Sequence, residues 1–155
     1  MSEIEVRIVR LEPQRVAISY GFGKNPEPIA WEQMINFIKS KGLDTTGGAH
    51  RFFGFNNPNP APGSPNYGYE QWITIGSDVQ PEGEIKVKQF EGGLYAVTRA
   101  RLGSIFETWQ QLGAWREKSH YKFGSHQWLE EALHNPLADP ISEEMELDLY
   151  LPIEE

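Results

Sequence analysis

Glu5-Val-Arg-Ile-Val-Arg-Leu-Glu12 and Glu84-Ile-Lys-Val-Lys-Gln-Phe-Glu91 read as the same strand written twice, 79 positions apart. Ala17-Ile18 overlies Ala96-Val97 at that offset. After a gap of one residue an offset of 78 aligns the rest: Trp31-Glu-Gln33 with Trp109-Gln-Gln111, Asn57-Pro58 with Asn135-Pro136, and Trp72-Ile-Thr-Ile75 with Tyr150-Leu-Pro-Ile153. Each match is weak alone. Matches that follow one another in order along the whole chain point to an internal duplication, with copies at 1–78 and 79–155.

Either copy gives the element order. Ile4, Val6 and Ile8 alternate with Glu5 and Arg7, as on a half-buried strand. Pro13 interrupts the first copy and Gly92-Gly93 the second, and each run then resumes extended; a bulge or sharp bend in one long strand is expected there. Trp31, Met34, Ile35 and Ile38 fall at helical spacing over 27–41, with Gly42 as the stop. Ser104 and Glu107 form a capping-box pattern before Ile105, Trp109 and Leu112. Two strands then close each copy, near 49–55 and 69–76, and near 128–133 and 144–151. For Trp128–Leu133 the duplication favours strand, while local propensity favours a helical turn. The fold class is α+β, and 155 residues make one domain.

The composition excludes several classes. There are no cysteines, hence no disulfide and no thiolate metal site, and a reducing compartment fits. The first residues form no signal peptide, and no apolar run reaches the ~20 residues of a membrane span. The expected address is the cytoplasm, with no membrane partner. The net charge of −8 argues against direct nucleic-acid binding and is compatible with cationic ligands.

Candidate chemistry is sparse. His50, His120, His126 and His134 lack metal-ligand spacing, and no nucleophile elbow or phosphate-binding glycine motif occurs. No metal and no cofactor is expected. Glu130 and Glu131 stand side by side; on a strand they point to opposite faces, so one turns inward, and on a frayed helix both are solvated. Glu146, Asp148 and Tyr150 share one face of the last strand, whose simplest reading is the wet side of an edge. Aromatic residues gather in two groups, Phe52 to Trp72 and Trp109 to Trp128. Most belong to a core. A subset lining a cleft with a carboxylate would suit a lipophilic cation, through ring-face attraction and ion pairing.

Three stretches carry a family resemblance: Lys88-Gln-Phe-Glu-Gly-Gly-Leu-Tyr-Ala-Val97, Trp128-Leu-Glu-Glu with Asn135-Pro136 downstream, and Glu146-Leu-Asp-Leu-Tyr-Leu-Pro-Ile153. Over nearly its whole length the chain resembles the GyrI-like, or AraC-type, effector-binding domain of bacterial transcription regulators. The resemblance implies two tandem βαββ units related by a pseudo-two-fold axis. It also implies an antiparallel sheet with a helix from each unit on one side, and a ligand groove between the halves. The family's ligand-facing glutamate falls on Glu130, with Glu131 as the fallback, and its closing-strand residues fall on Tyr150 and Asp148. The chain departs from the family at Ala132, where an aromatic is frequent. With the aromatic groups added, the candidate ligand contacts are Glu130, Tyr150, Asp148, Trp109, Trp72, Phe53, Tyr95 and Trp128. The repeat begins by residue 5, which leaves no room for a preceding helix-turn-helix, so a stand-alone member is expected.

Three functions fit. The first is a binding protein for lipophilic, cationic aromatic effectors or drugs. The second is a hydrolase of cyclopropane-containing genotoxins, using Glu130 as general acid or base. The third is a protein-partner inhibitor of the topoisomerase type, acting through the acidic tail Glu143–Glu155. An exposed edge strand in each half could support a homodimer.

Overall fold

A computed structural model of the protein describes residues 4–46, 48–139 and 141–155. The element order is β1 (Arg7–Leu11), β2 (Gln14–Gly23), α1 (Pro26–Lys41), β3 (Phe52–Asn56), β4 (Tyr67–Thr74), β5 (Lys86–Phe90), β6 (Gly93–Arg101), α2 (Ile105–Lys118), β7 (Lys122–Phe123), β8 (Leu129–Ala132) and β9 (Glu146–Glu154). All strand pairings described are antiparallel. The fold is α+β, as expected, and Trp128–Leu133 resolves in favour of strand. Neither helix is long and apolar enough to cross a membrane.

The chain forms two compact units. A terminal unit holds Met1–Pro13, Glu91–His134 and Asp139–Glu155; a central unit holds Gln14–Phe90 and Asn135–Ala138. In the terminal unit the strand order is β1-β6-β9-β8, with β7 also on β9; in the central unit it is β3-β4-β2-β5. The expected bends are therefore crossings. Between Leu11 and Gln14 the chain leaves the terminal unit, and between Phe90 and Gly93 it returns. The second crossing requires glycine. Gly92 has φ +77°, and a Cβ there would collide with the Leu11 carbonyl oxygen.

In the central unit α1 starts at Pro26, whose fixed φ suits the first helical turn. Ala30, Met34, Phe37 and Ile38 are buried and recur at helical spacing, so they face the sheet. The Ser19 hydroxyl donates to the Ala30 carbonyl at 2.7 Å, tying helix to strand. The helix ends where Gly42 takes φ +63° and its N–H returns to the last carbonyls. In the terminal unit α2 covers β6 and β9. Leu112 packs with Ala96, Ala100, Leu147, Leu149, Leu151 and Ile153. The capping box at Ser104 does not form: no side-chain cap bond is made there. A 3-10 turn over Leu102–Ser104 leads into the helix and leaves Ser104 at φ −127°, ψ 24°, away from the extended backbone a side-chain cap needs.

Candidate functional site

Strand alternation sorts the terminal unit's side chains. Leu147, Leu149 and Leu151 of β9 pack under α2, so Asp148 and Tyr150 lie on the opposite face. Directly paired residues share a face, and β9 pairs Val97 with Tyr150 and Arg99 with Asp148 on β6, and Leu129 with Tyr150 and Glu131 with Asp148 on β8. The face turned away from α2 therefore carries Tyr95, Arg99, Glu131, Asp148 and Tyr150. β9 lies inside the unit's sheet, between β6 and β8, and Asp148 is 4% exposed. The simple reading of Asp148 as the wet side of an edge strand is thus corrected.

This face is polar yet dry at its centre. Glu131 is 7% exposed, and the Tyr150 hydroxyl donates to its Oε1 at 2.6 Å. Tyr95 meets Tyr150 edge-on with ring centroids 5.5 Å apart. The Tyr95 hydroxyl donates to the Gln127 carbonyl at 2.5 Å, and burial pushes the Tyr95 phenol well above its ordinary pKa. His126 stands edge-on to Tyr95 at 4.8 Å. Asp148 is engaged by two guanidinium groups, Arg99 Nε at 2.6 Å and Arg7 at 3.0 Å. The hydrogen bond that Arg99 donates to Asp148 holds its guanidinium above its usual pKa. Asp148 thus binds β1, β6 and β9 together.

Glu130 points the other way. Its Oε2 accepts from Trp109 Nε1 at 3.4 Å, and Trp109 lies 5.5 Å from Trp128, on the α2 side of the sheet. Trp72 and Phe53 belong to the central unit, each 1% exposed. They lie opposite one another on β4 and β3, on the face turned away from α1. The candidate contacts thus fall into three groups: Tyr95, Asp148 and Tyr150; Glu130, Trp109 and Trp128; and Trp72 with Phe53. The residue that joins the first group is Glu131. Its signal in the sequence was the shared parity of Leu129 and Glu131. Arg7, Arg99 and His126 had no signal, because nothing local tells which charges meet across strands.

A cavity of about 370 Å³ on the terminal unit is lined among others by Arg99, which also pairs with Asp148, and by His134, Asp139, Glu144 and Glu146. Burial pushes the His134 imidazole below its ordinary pKa, with the Asp139 charge opposing in part. Among the described residues no three of His, Asp and Glu stand together as a metal site.

No curated protein matches the chain in sequence. Similar folds occur among solved structures. The C-terminal domain of EcmrR aligns with a TM-score of 0.72 and 13% identity, over 98% of this chain and 98% of that one. Against the longer EcmrR chain in its complex with DNA, this chain spans 57% of the length. A hydrolase from Listeria innocua aligns at 0.68 and 10% identity, over 98% and 93%. SAV2435 bound to tetraphenylphosphonium aligns at 0.57 and 11% identity, over 97% and 94%. These likenesses bear out the GyrI-like effector-binding fold. The sequence pattern of integron-associated effector binding proteins matches residues 7–153, nearly the whole chain, and the protein belongs to that family.

Proposed function

We propose that the protein is a receptor for lipophilic organic cations, with Glu131 as the counter-charge and Tyr150 and Tyr95 as its aromatic neighbours. The observation that carries this reading is the Glu131 carboxylate: 7% exposed, on the sheet face away from α2, and oriented by the Tyr150 hydroxyl at 2.6 Å. A carboxylate in so little water attracts an approaching cation far more strongly than a surface carboxylate does. Ring faces nearby favour the same kind of ligand. The family's effector-binding description supports a small-molecule ligand, and the tetraphenylphosphonium bound by SAV2435, a structure of similar fold, supports a lipophilic cation.

The test is a titration with tetraphenylphosphonium and with neutral triphenylphosphine oxide, followed by tryptophan fluorescence. Wild type should bind the cation saturably and the neutral compound more weakly. Glu131→Gln should weaken cation binding by about 1–3 kcal/mol, roughly 5- to 150-fold. Glu130→Gln, altered on the opposite face, should leave it within about twofold. A loss confined to Glu130→Gln, or no binding of either compound, defeats the proposal.

The Glu131–Tyr150 pair also supports a second reading, hydrolysis of a strained-ring electrophile with Glu131 as general base toward water. Chromatographic detection of a ring-opened, hydroxylated product that disappears in Glu131→Gln would favour it over simple binding.

A further inference from the structure

On the central unit, the sheet face turned away from α1 carries a cluster of rings that already holds a cation. Phe55 stands edge-on to Trp72 at 5.1 Å, and Phe90 is tilted against Trp72 at 5.1 Å. The Lys88 ammonium lies 4.5 Å from the Trp72 ring centroid. β2 runs between β5 and β4, so roughly 10 Å separates the backbones of Lys88 and Trp72 across the sheet. Lys88 spans that strand to reach the ring.

No carboxylate pairs with Lys88 among the described residues, although the chain carries a net charge of −8. The nearest carboxylate in sequence to Trp72, that of Glu70, meets the indole at its N–H edge and makes no ion pair with Lys88. It accepts from Trp72 Nε1 at 3.1 Å and from Asn57 Nδ2 at 2.5 Å. What holds the ammonium is thus the face of a tryptophan, the strongest of the aromatic faces for a cation.

We propose that the Lys88 ammonium is the internal occupant of an organic-cation site formed by Trp72, Phe55 and Phe90, and that a ligand must displace it to bind there. The proposal rests on the reading of the protein as a receptor for organic cations. A tethered ammonium competes at high effective concentration, because it never diffuses away. A small hydrophilic cation offers the rings nothing that Lys88 does not, and is excluded. A lipophilic cation brings apolar surface as well as charge, and burial of that surface tips the exchange in its favour. The displaced lysine swings into water, where its three donors are solvated. Lys88 is then a specificity-determining residue, setting how apolar a cation must be before it enters.

The plainer role for Lys88 is protection of a terminal strand. β5 ends the strand order, and exposed lysines there discourage pairing with another chain. Lys86, on the same strand and face, separates the two roles. Tetraphenylphosphonium and triphenylphosphine oxide are titrated into wild type, Lys88→Met, Lys88→Arg and Lys86→Met. Lys88→Met keeps most of the apolar stem and removes the charge. It should bind the phosphonium about 2- to 30-fold tighter, the range of a cation–ring contact. The neutral oxide should change by less than twofold, and Lys88→Arg should bind the phosphonium no tighter than wild type. An equal gain in Lys86→Met would trace the effect to net charge and overturn the proposal. Unchanged affinity in Lys88→Met, with wild type binding normally, would overturn it and leave the receptor reading standing. Failure of all four proteins to bind the phosphonium would overturn both.

Discussion

His134 makes the protein's stability depend on pH. Its imidazole is held below the ordinary value of 6.5 because burial disfavours the charged ring, an effect the Asp139 charge only partly offsets. The folded state therefore binds a proton at His134 less readily than the unfolded chain. The resulting stability is fully present above about pH 6.5 and is lost as the pH falls through the folded-state value. His134→Gln should flatten this part of the profile. Urea midpoints for wild type and variant should lie farther apart in their pH 7 to pH 5 drop than in their values at pH 7, and parallel curves would refute the assignment. The same scale shows what a sequence withholds. Glu130 and Glu131 must oppose one another on any strand, and that much was legible. Which of them faces away from α2 depends on the pairing of Glu131 with Asp148 and Leu129 with Tyr150. A slip of one residue would exchange the two carboxylates, and no local pattern records that register.

At the scale of the element, α1 was readable because its signals are local. Met34 and Ile38 repeat at helical spacing, and Gly42 stands where the helix stops. Gly42 is needed for its backbone alone: φ is +63°, and a Cβ there would meet nothing within 4 Å. Gly42→Ala should thus cost about 1–2 kcal/mol, the penalty of a left-handed non-glycine residue, with no added clash. A lower urea midpoint with an unchanged slope is the expected result. No measurable change would mean that the helix can end without its left-handed cap. Elements with less local content were harder to read. β7 has two residues, too few for any period to show, and exists because Lys122 and Phe123 pair with Glu154 and Ile153. The Ser104–Glu107 pattern is present in the sequence, yet the preceding 3-10 turn keeps Ser104 out of the backbone conformation that a side-chain cap needs.

At the scale of the molecule, the first strand of each sequence copy belongs to the compact unit built mainly from the other copy. β1 pairs with β6 from Leu11 opposite Gly93 to Arg7 opposite Val97, and β5 pairs with β2. Sequence alternation identifies strands but not their partners, so this exchange left no trace beyond Pro13 and Gly92-Gly93. The terminal unit depends on it. Arg7 of β1 reaches Asp148 at 3.0 Å, and the Thr98 hydroxyl donates to the Glu5 carbonyl at 2.8 Å. Gly92 is where the returning chain passes Leu11, and there the backbone has both a positive φ and no room for a Cβ. Gly92→Ala therefore adds a collision to the conformational penalty, and should destabilise the protein by more than the 1–2 kcal/mol expected at Gly42. The damage should begin locally. Relief of the clash requires Leu11 to move, and Leu11 begins the pairing of β1 with β6, so the backbone amides of Arg7–Leu11 should exchange faster with solvent before global unfolding. Hydrogen exchange that rises over these five residues while the α1 amides stay protected is the expected pattern. A uniform rise over both units would show that β1 does not open separately from the rest of the fold.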